Sequence, residues 1–140
     1  MTFVEDVIVF FNMASNSSLT ITWLGHSTFL LRSPGGKILL FDPWLVENPS
    51  CPLEWKRGVD TDLILVTYAH TGHFGAVETI VRDTGAPVVA IAEICHFLEA
   101  RGIRGVMPMN LGGMVTVLGV EITMVRANHS SSQKCDAGMG

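Results

Sequence analysis

Four consecutive apolar residues, Leu63-Ile64-Leu65-Val66, are followed first by helical spacing and then by a second strand, and this succession constrains the chain more than any other feature. An apolar run this short, with no alternation, fits a strand buried on both faces. Downstream, Ala76, Val77, Ile80 and Val81 fall on one helical face, while Glu78 and Arg82 stand at i, i+4 on the other. Gly85 stops the helix before a strand over 87–91. Together these segments predict a β-α-β unit and hence a parallel strand pair. A second helix is expected over 93–101, with Ile94, Phe97 and Leu98 inward and Gly102 at its end.

Upstream, residues 20–24, 27–32 and 37–41 read as three strands of an antiparallel meander, with Gly25 in the first turn and Ser33-Pro34-Gly35-Gly36 in the second. Asp42-Pro43-Trp44 stops the third strand, because proline lacks the ladder donor, and the loop through Asn48-Pro49-Ser50-Cys51-Pro52 is a candidate rim for a site. Beyond the second helix only strands over 114–118 and 120–125 are expected, joined at Gly119, with Met107, Met109, Met114 and Met124 as adaptable core filler. Residues 130–140 read as a loop. The last strand therefore expects a neighbour from outside the chain, and an uncovered edge of this kind predicts homo-oligomerisation by strand pairing.

Composition sets the class. With 48% apolar and 16% charged residues among 140, the chain is a core-rich single domain and not a disordered one. Nine Lys and Arg against thirteen Asp and Glu give a net charge of −4 with no basic run, which excludes the electrostatic footprint of a nucleic-acid binder. Cys51, Cys95 and Cys135 are widely spaced and odd in number, so neither a disulfide framework nor a cysteine zinc site is indicated, and a cytoplasmic location is expected. The apolar run over 7–11 follows Glu5 and Asp6, lacks the positive flank of a secretory signal and is too short to span a membrane. Met13, followed by a polar leader, reads as an alternative start. Residues 1–18 are accordingly expected to be a disordered or artefactual extension ahead of a domain over 19–140.

His70 and His73 lie just past the carboxyl end of the buried strand, where open α/β sheets present their ligand-binding loops. Two imidazoles at this spacing can converge on a metal if the loop curls. Taken alone, the pair fits two solvated loop histidines equally well. His26, after the turn glycine, suits a structural hydrogen bond as well as a catalytic role. Asp42 reads either as a functional carboxylate at a strand end or as a cap of the Pro43-Trp44 turn. His96, on the outward face of its helix, is expected to be solvated.

The segment Thr67-Tyr68-Ala69-His70-Thr71-Gly72-His73, set between strand and helix, resembles the T-H-x-H-x-D-H signature of the metallo-β-lactamase superfamily. Thr22-Trp23-Leu24-Gly25-His26-Ser27-Thr28-Phe29, Phe41-Asp42-Pro43-Trp44 and Ala127-Asn128-His129-Ser130-Ser131-Ser132 are similar to further landmarks of one branch, the metal-dependent hydrolases related to ascorbate-6-phosphate lactonases. The resemblance implies an α+β fold, the four-layer αββα sandwich, here mainly its N-terminal part. It implies metal ligands at His70, His73 and His129, with His26 and Asp42 as catalytic or supporting residues, and no organic cofactor. It further implies one or two divalent ions, zinc foremost, that activate water against a small-molecule lactone or phosphate ester. Tyr68 stands where the signature has its first histidine and Gly72 where it has its aspartate, so reduced metal occupancy is expected. The alternative is a catalytically inactive, truncated remnant that acts as a binding or oligomerising module.

Overall fold

The computed structural model describes residues 4–10 and 18–128. Strands β2 (Thr20–Trp23), β3 (Phe29–Arg32) and β4 (Ile38–Phe41) form the expected antiparallel meander. The chain then runs through a loop with one 3-10 turn, Trp55–Arg57, and enters β5 (Leu63–Leu65), parallel to β4. Helices α1 (Thr71–Phe74) and α2 (Val77–Thr84) lead to β6 (Val88–Ile91), and α3 (Ala92–Ala100) leads to β7 (Val106–Met109), each strand parallel to the one before. The result is one six-stranded mixed sheet in the order β2-β3-β4-β5-β6-β7.

Strand β7 does not stand out in the sequence because Pro108 interrupts it. It occupies the edge of the sheet, where a missing N–H leaves no ladder bond unmade. The methionines divide: Met109 and Met124 are buried, Met107 is half-buried, and Met114 is 65% exposed, so the core-filler reading fails at Met114. That residue begins a strand whose outer side has no partner strand among the described residues.

Period-two alternation within the unbroken apolar runs explains the high apolar content. Leu40, Ile64, Val66, Val88 and Ala90 face one core with Phe74, Val77, Ile80, Ile94 and Leu98 of the helices. Leu39, Leu63, Leu65 and Val89 face a second core shared with Val117, Val120, Ile122 and Met124. Fully burying one such Leu or Ile contributes about 1.5–3 kcal/mol. Gly85, at φ 72°, closes α2 as expected, its N–H donating to the Val81 carbonyl.

The second core lies beneath a smaller antiparallel sheet, β1 (Val4–Phe10), β9 (Val120–Ala127) and β8 (Met114–Val117), in that order. Residues 4–10, expected to belong to a disordered extension, instead form a strand, and the register from Val4↔Ala127 to Phe10↔Glu121 pairs β1 along most of β9. The segment is rich in β-branched residues, and it satisfies the backbone groups of the strand that was expected to lack a neighbour. Strand β9 is therefore central, and the outer strands of this sheet are β1 and β8. Residues 11–17, with Met13, and 129–140, with His129 and Cys135, lie outside the described residues. A helical layer and two sheets, one of them mixed, make an α/β fold where α+β was expected, and they correspond to mainly the N-terminal part of the expected sandwich. No described helix is long and apolar enough to cross a membrane.

Candidate functional site

Three loops meet at the carboxyl ends of β4 and β5. The first is the β2–β3 turn, where Gly25 adopts φ 96° and lies so close to the 48–50 segment that a Cβ there would stand 2.7 Å from the Cβ of Ser50. Asn48, 1% exposed, fastens this turn to the second loop. Its side-chain amide donates to the carbonyls of Gly25 at 3.1 Å, Leu24 at 3.3 Å and Trp44 at 3.0 Å. Thr28, fully buried, adds a second fastening: its hydroxyl donates to the Asp42 carbonyl at 2.7 Å and accepts from the Trp44 N–H at 3.2 Å.

Asp42 leaves β4 at φ 44°, a left-handed conformation uncommon outside glycine but tolerated by aspartate. This bend turns its carboxylate onto the third loop. One oxygen, Oδ1, accepts the Thr67 N–H at 2.8 Å; the other, Oδ2, accepts the Thr67 hydroxyl at 2.7 Å and pairs with His73 Nδ1 at 2.7 Å. Carboxylate and imidazole are both buried, at 3% and 5% exposure. An ionised carboxylate only accepts, so beside it Nδ1 is the donor, and in the neutral ring this leaves the lone pair on Nε2. A histidine oriented in this way by a carboxylate has the arrangement typical of metal-ligating imidazoles.

The rest of the loop is aromatic. The Tyr68 ring lies 3.9 Å from that of His73 and 4.9 Å from that of His70, centroid to centroid. His70 is the residue just before α1, in extended conformation. His26, exposed and at φ 53°, meets His73 edge-on at 5.1 Å and Trp44 edge-on at 5.3 Å. A cleft of about 500 Å³ borders the loop through Trp44, Thr71 and Gly75, with Lys56, Arg57 and Asp83 also in its wall.

Of the expected site residues, the fold thus gathers His26, Asp42, His70 and His73 around one loop; His129 lies outside the described residues. His96 is exposed, in keeping with a solvated side chain. Thr28, Asn48 and Thr67, which hold the arrangement, were not singled out by the sequence. Thr67 opens the histidine motif, which was its one signal; buried Asn48 sits in a proline-rich loop where asparagine is an ordinary turn residue. Among the described residues no group of three or more His, Cys, Asp or Glu side chains could hold a metal, whereas catalytic zinc takes three protein ligands. His73 fits a metal; the described set as a whole falls short of one. Burial raises the thiols of Cys51 and Cys95, the latter to about 11, which argues against a thiolate nucleophile or ligand at neutral pH.

The family model described as a beta-lactamase superfamily domain matches residues 20–138, which takes in the six-stranded sheet, β8, β9 and all three loops of the site. The chain belongs to the metallo-β-lactamase superfamily. Within it, the chain is 46% identical over 118 residues to a UPF0173 metal-dependent hydrolase of Rubrobacter xylanophilus, covering 84% of this chain and 49% of that protein. It is 39% identical over 118 residues to a UPF0173 metal-dependent hydrolase of Roseiflexus sp., covering 81% and 48%. The structure of Igni18, a metallo hydrolase from the archaeon Ignicoccus hospitalis, superposes with a TM-score of 0.62 at 33% identity, covering 71% of this chain and 42% of that one. The chain spans about half the length of the curated superfamily relatives it matches. These relatives are named for metal-dependent hydrolysis, and the Asp42–His73 pair is the part of this site that meets the needs of a metal ligand.

Proposed function

We propose that the chain supplies the metal-loop half of a metal-dependent hydrolase acting on a small-molecule lactone or phosphate ester. The observation that carries this reading is the buried pair of Asp42 and His73 at 2.7 Å, which holds one imidazole by its Nδ1. In the proposal His73 and His70 are ligands, His129 joins them, Asp42 orients His73, and His26 lines the site. Zinc suits imidazole donors. The chemistry a bound divalent cation supplies is the activation of water for attack on a carbonyl or phosphoryl group. The chain's own residues hold and orient the ligand imidazole and shape the adjoining cleft, where Trp44 and Thr71 border both cleft and loop. A cytoplasmic setting, a small-molecule ligand, and no nucleic acid or membrane partner complete the proposal.

The test is the zinc content of the purified full chain by elemental analysis, beside a His70→Ala/His73→Ala control, followed by lactone and phosphomonoester assays. Zinc near one equivalent that disappears in the control supports the reading. Zinc equal to the control contradicts it and favours a second reading, a non-catalytic module of the same fold. Two observations favour that second reading: Tyr68 packs against His73 where a ligand is expected, and Gly72 offers no donor. Such a module would pair with a second copy along β2 or β8, where Trp23 is 60% and Met114 65% exposed.

A further inference from the structure

Trp44 belongs to two surroundings at once. On one side its ring meets His26 edge-on at 5.3 Å, and through His26 the loop of His73. On the other it lines the cleft of about 500 Å³ that lies between the loop after β4, the 3-10 turn and α2. The pyrrole edge of the indole lies at the cleft wall: a Cβ built on Gly75, a residue of that wall, would stand 3.2 Å from Trp44 Cδ1, the atom bonded to Nε1. The indole N–H is buried, and no acceptor among the described residues reaches it. Buried donors ordinarily have an acceptor, and one left without destabilises the fold.

Polar and apolar residues of the cleft are segregated. Buried Leu45, Val59 and Ile80 form an apolar floor, and Val46 at the mouth is 68% exposed. Glu47, Arg57, Asp60 and Asp83 are exposed, while half-buried Lys56 donates to the Val46 carbonyl at 3.1 Å. Three carboxylates against two cations disfavour a phosphate dianion at this mouth. The volume is that of a small-molecule pocket, which is typically apolar with a few placed polar groups. We propose that the cleft seats the alkyl tail of an uncharged lactone whose carbonyl oxygen accepts from the Trp44 indole N–H. The tail lies over Leu45, Val59 and Ile80, and the polar head stays beside Trp44 and Thr71, next to the histidine loop. Held by ring contacts and not by a hydrogen bond, the indole turns toward the ligand without giving up a partner. Trp44 thereby selects for an oxygen acceptor and the floor for an apolar tail. The choice of a lactone rests on the hydrolase reading above; the tail site does not.

The test is binding to the purified full chain with no metal added, followed in proton–nitrogen correlation spectra. The probes are γ-lactones of rising side-chain length, from γ-hexalactone to γ-dodecalactone. Saturable movement of the Trp44 indole N–H signal is expected, with Kd falling about threefold for each added methylene. A Kd that does not change with length, or an indole signal that stays in place while other cleft signals move, would overturn the proposal. Octyl phosphate, with the same tail as γ-dodecalactone, is expected to bind about tenfold more weakly; equal or tighter binding would overturn the choice of a lactone. Trp44→Phe keeps a ring and removes the donor, so every lactone is expected to weaken about tenfold with the increment per methylene unchanged. Should that variant not fold, Thr79→Trp, at an exposed position of α2 in the cleft wall, decides the matter: the increment is expected to vanish, and its survival would overturn the tail site. Length-dependent binding to a chain that holds no zinc and hydrolyses no lactone would support the tail site and count against the hydrolase reading. Bound zinc without length dependence would overturn the tail site alone.

Discussion

The two sides of the 67–73 loop are built differently. On the Asp42 side the polar groups are buried and joined: the carboxylate accepts the Thr67 amide, the Thr67 hydroxyl and the His73 imidazole, and Thr28 and Asn48 fix the backbone that delivers it. On the other side stand rings in contact with rings, Tyr68 against His70 and His73, and His26 over a glycine. The first side is the support a ligand imidazole needs; the second is where further donors would have to stand. Among the described residues the support is built more fully than the donor set.

The largest expected effect breaks the supported side. Asp42→Ala leaves a half-buried amide and hydroxyl and a buried imidazole without their acceptor, and a stability loss of about 3–5 kcal/mol is expected by urea denaturation. Asn48→Ala comes next: it strips three backbone carbonyls of a buried donor, with an expected loss of about 1–3 kcal/mol and a less ordered β2–β3 turn by amide hydrogen exchange. If the two losses were reversed in size, the carboxylate would not be the centre of the support.

On the donor side Tyr68→His is expected to change stability little and to tighten zinc binding by about tenfold, roughly 1.4 kcal/mol. Unchanged zinc affinity in the folded variant would mean that the retained support no longer serves a metal. The smallest effect is expected at Asp62, a carboxylate away from the loop. The Ile38 N–H at 2.8 Å and then Lys37 Nζ at 3.1 Å hold its carboxyl below the usual range. A depressed folded value adds stability above the unfolded value, near ~3.9, and loses it as pH falls through the folded one. Asp62→Asn should therefore melt slightly lower than the unaltered chain at pH 7, with the gap closing below about pH 4. A gap that persisted at low pH would assign the loss to something other than the carboxylate's charge.

Much of the fold could be read in the sequence because its signals are local. The Leu63-Ile64-Leu65-Val66 run, the helical spacing from Ala76 to Val81 and the glycine at 85 each act within a few residues, and each produced the expected element. Pro108 hid β7 because whether proline is tolerated depends on the strand's place in the sheet, which no local pattern records. The pairing of residues 4–10 with β9 was hidden because it joins segments more than a hundred residues apart. In the site, the histidines were legible from their motif. Asn48 and Thr28 were not, because an ordinary polar residue becomes a buried tie only when distant loops close over it. The contact between the His26 ring and Gly72 is likewise a tertiary fact that no local pattern records.

The most direct test of the central claim, that the support for a ligand imidazole is intact, is the tautomer of His73 in the unaltered chain, read by long-range proton–nitrogen correlation at pH 8. The expected result is a proton on Nδ1, shifted strongly downfield by its bond to Asp42 and lost as a distinct signal in Asp42→Ala, with Nε2 unprotonated. A proton on Nε2, or the averaged signal of a solvated imidazole, would contradict it.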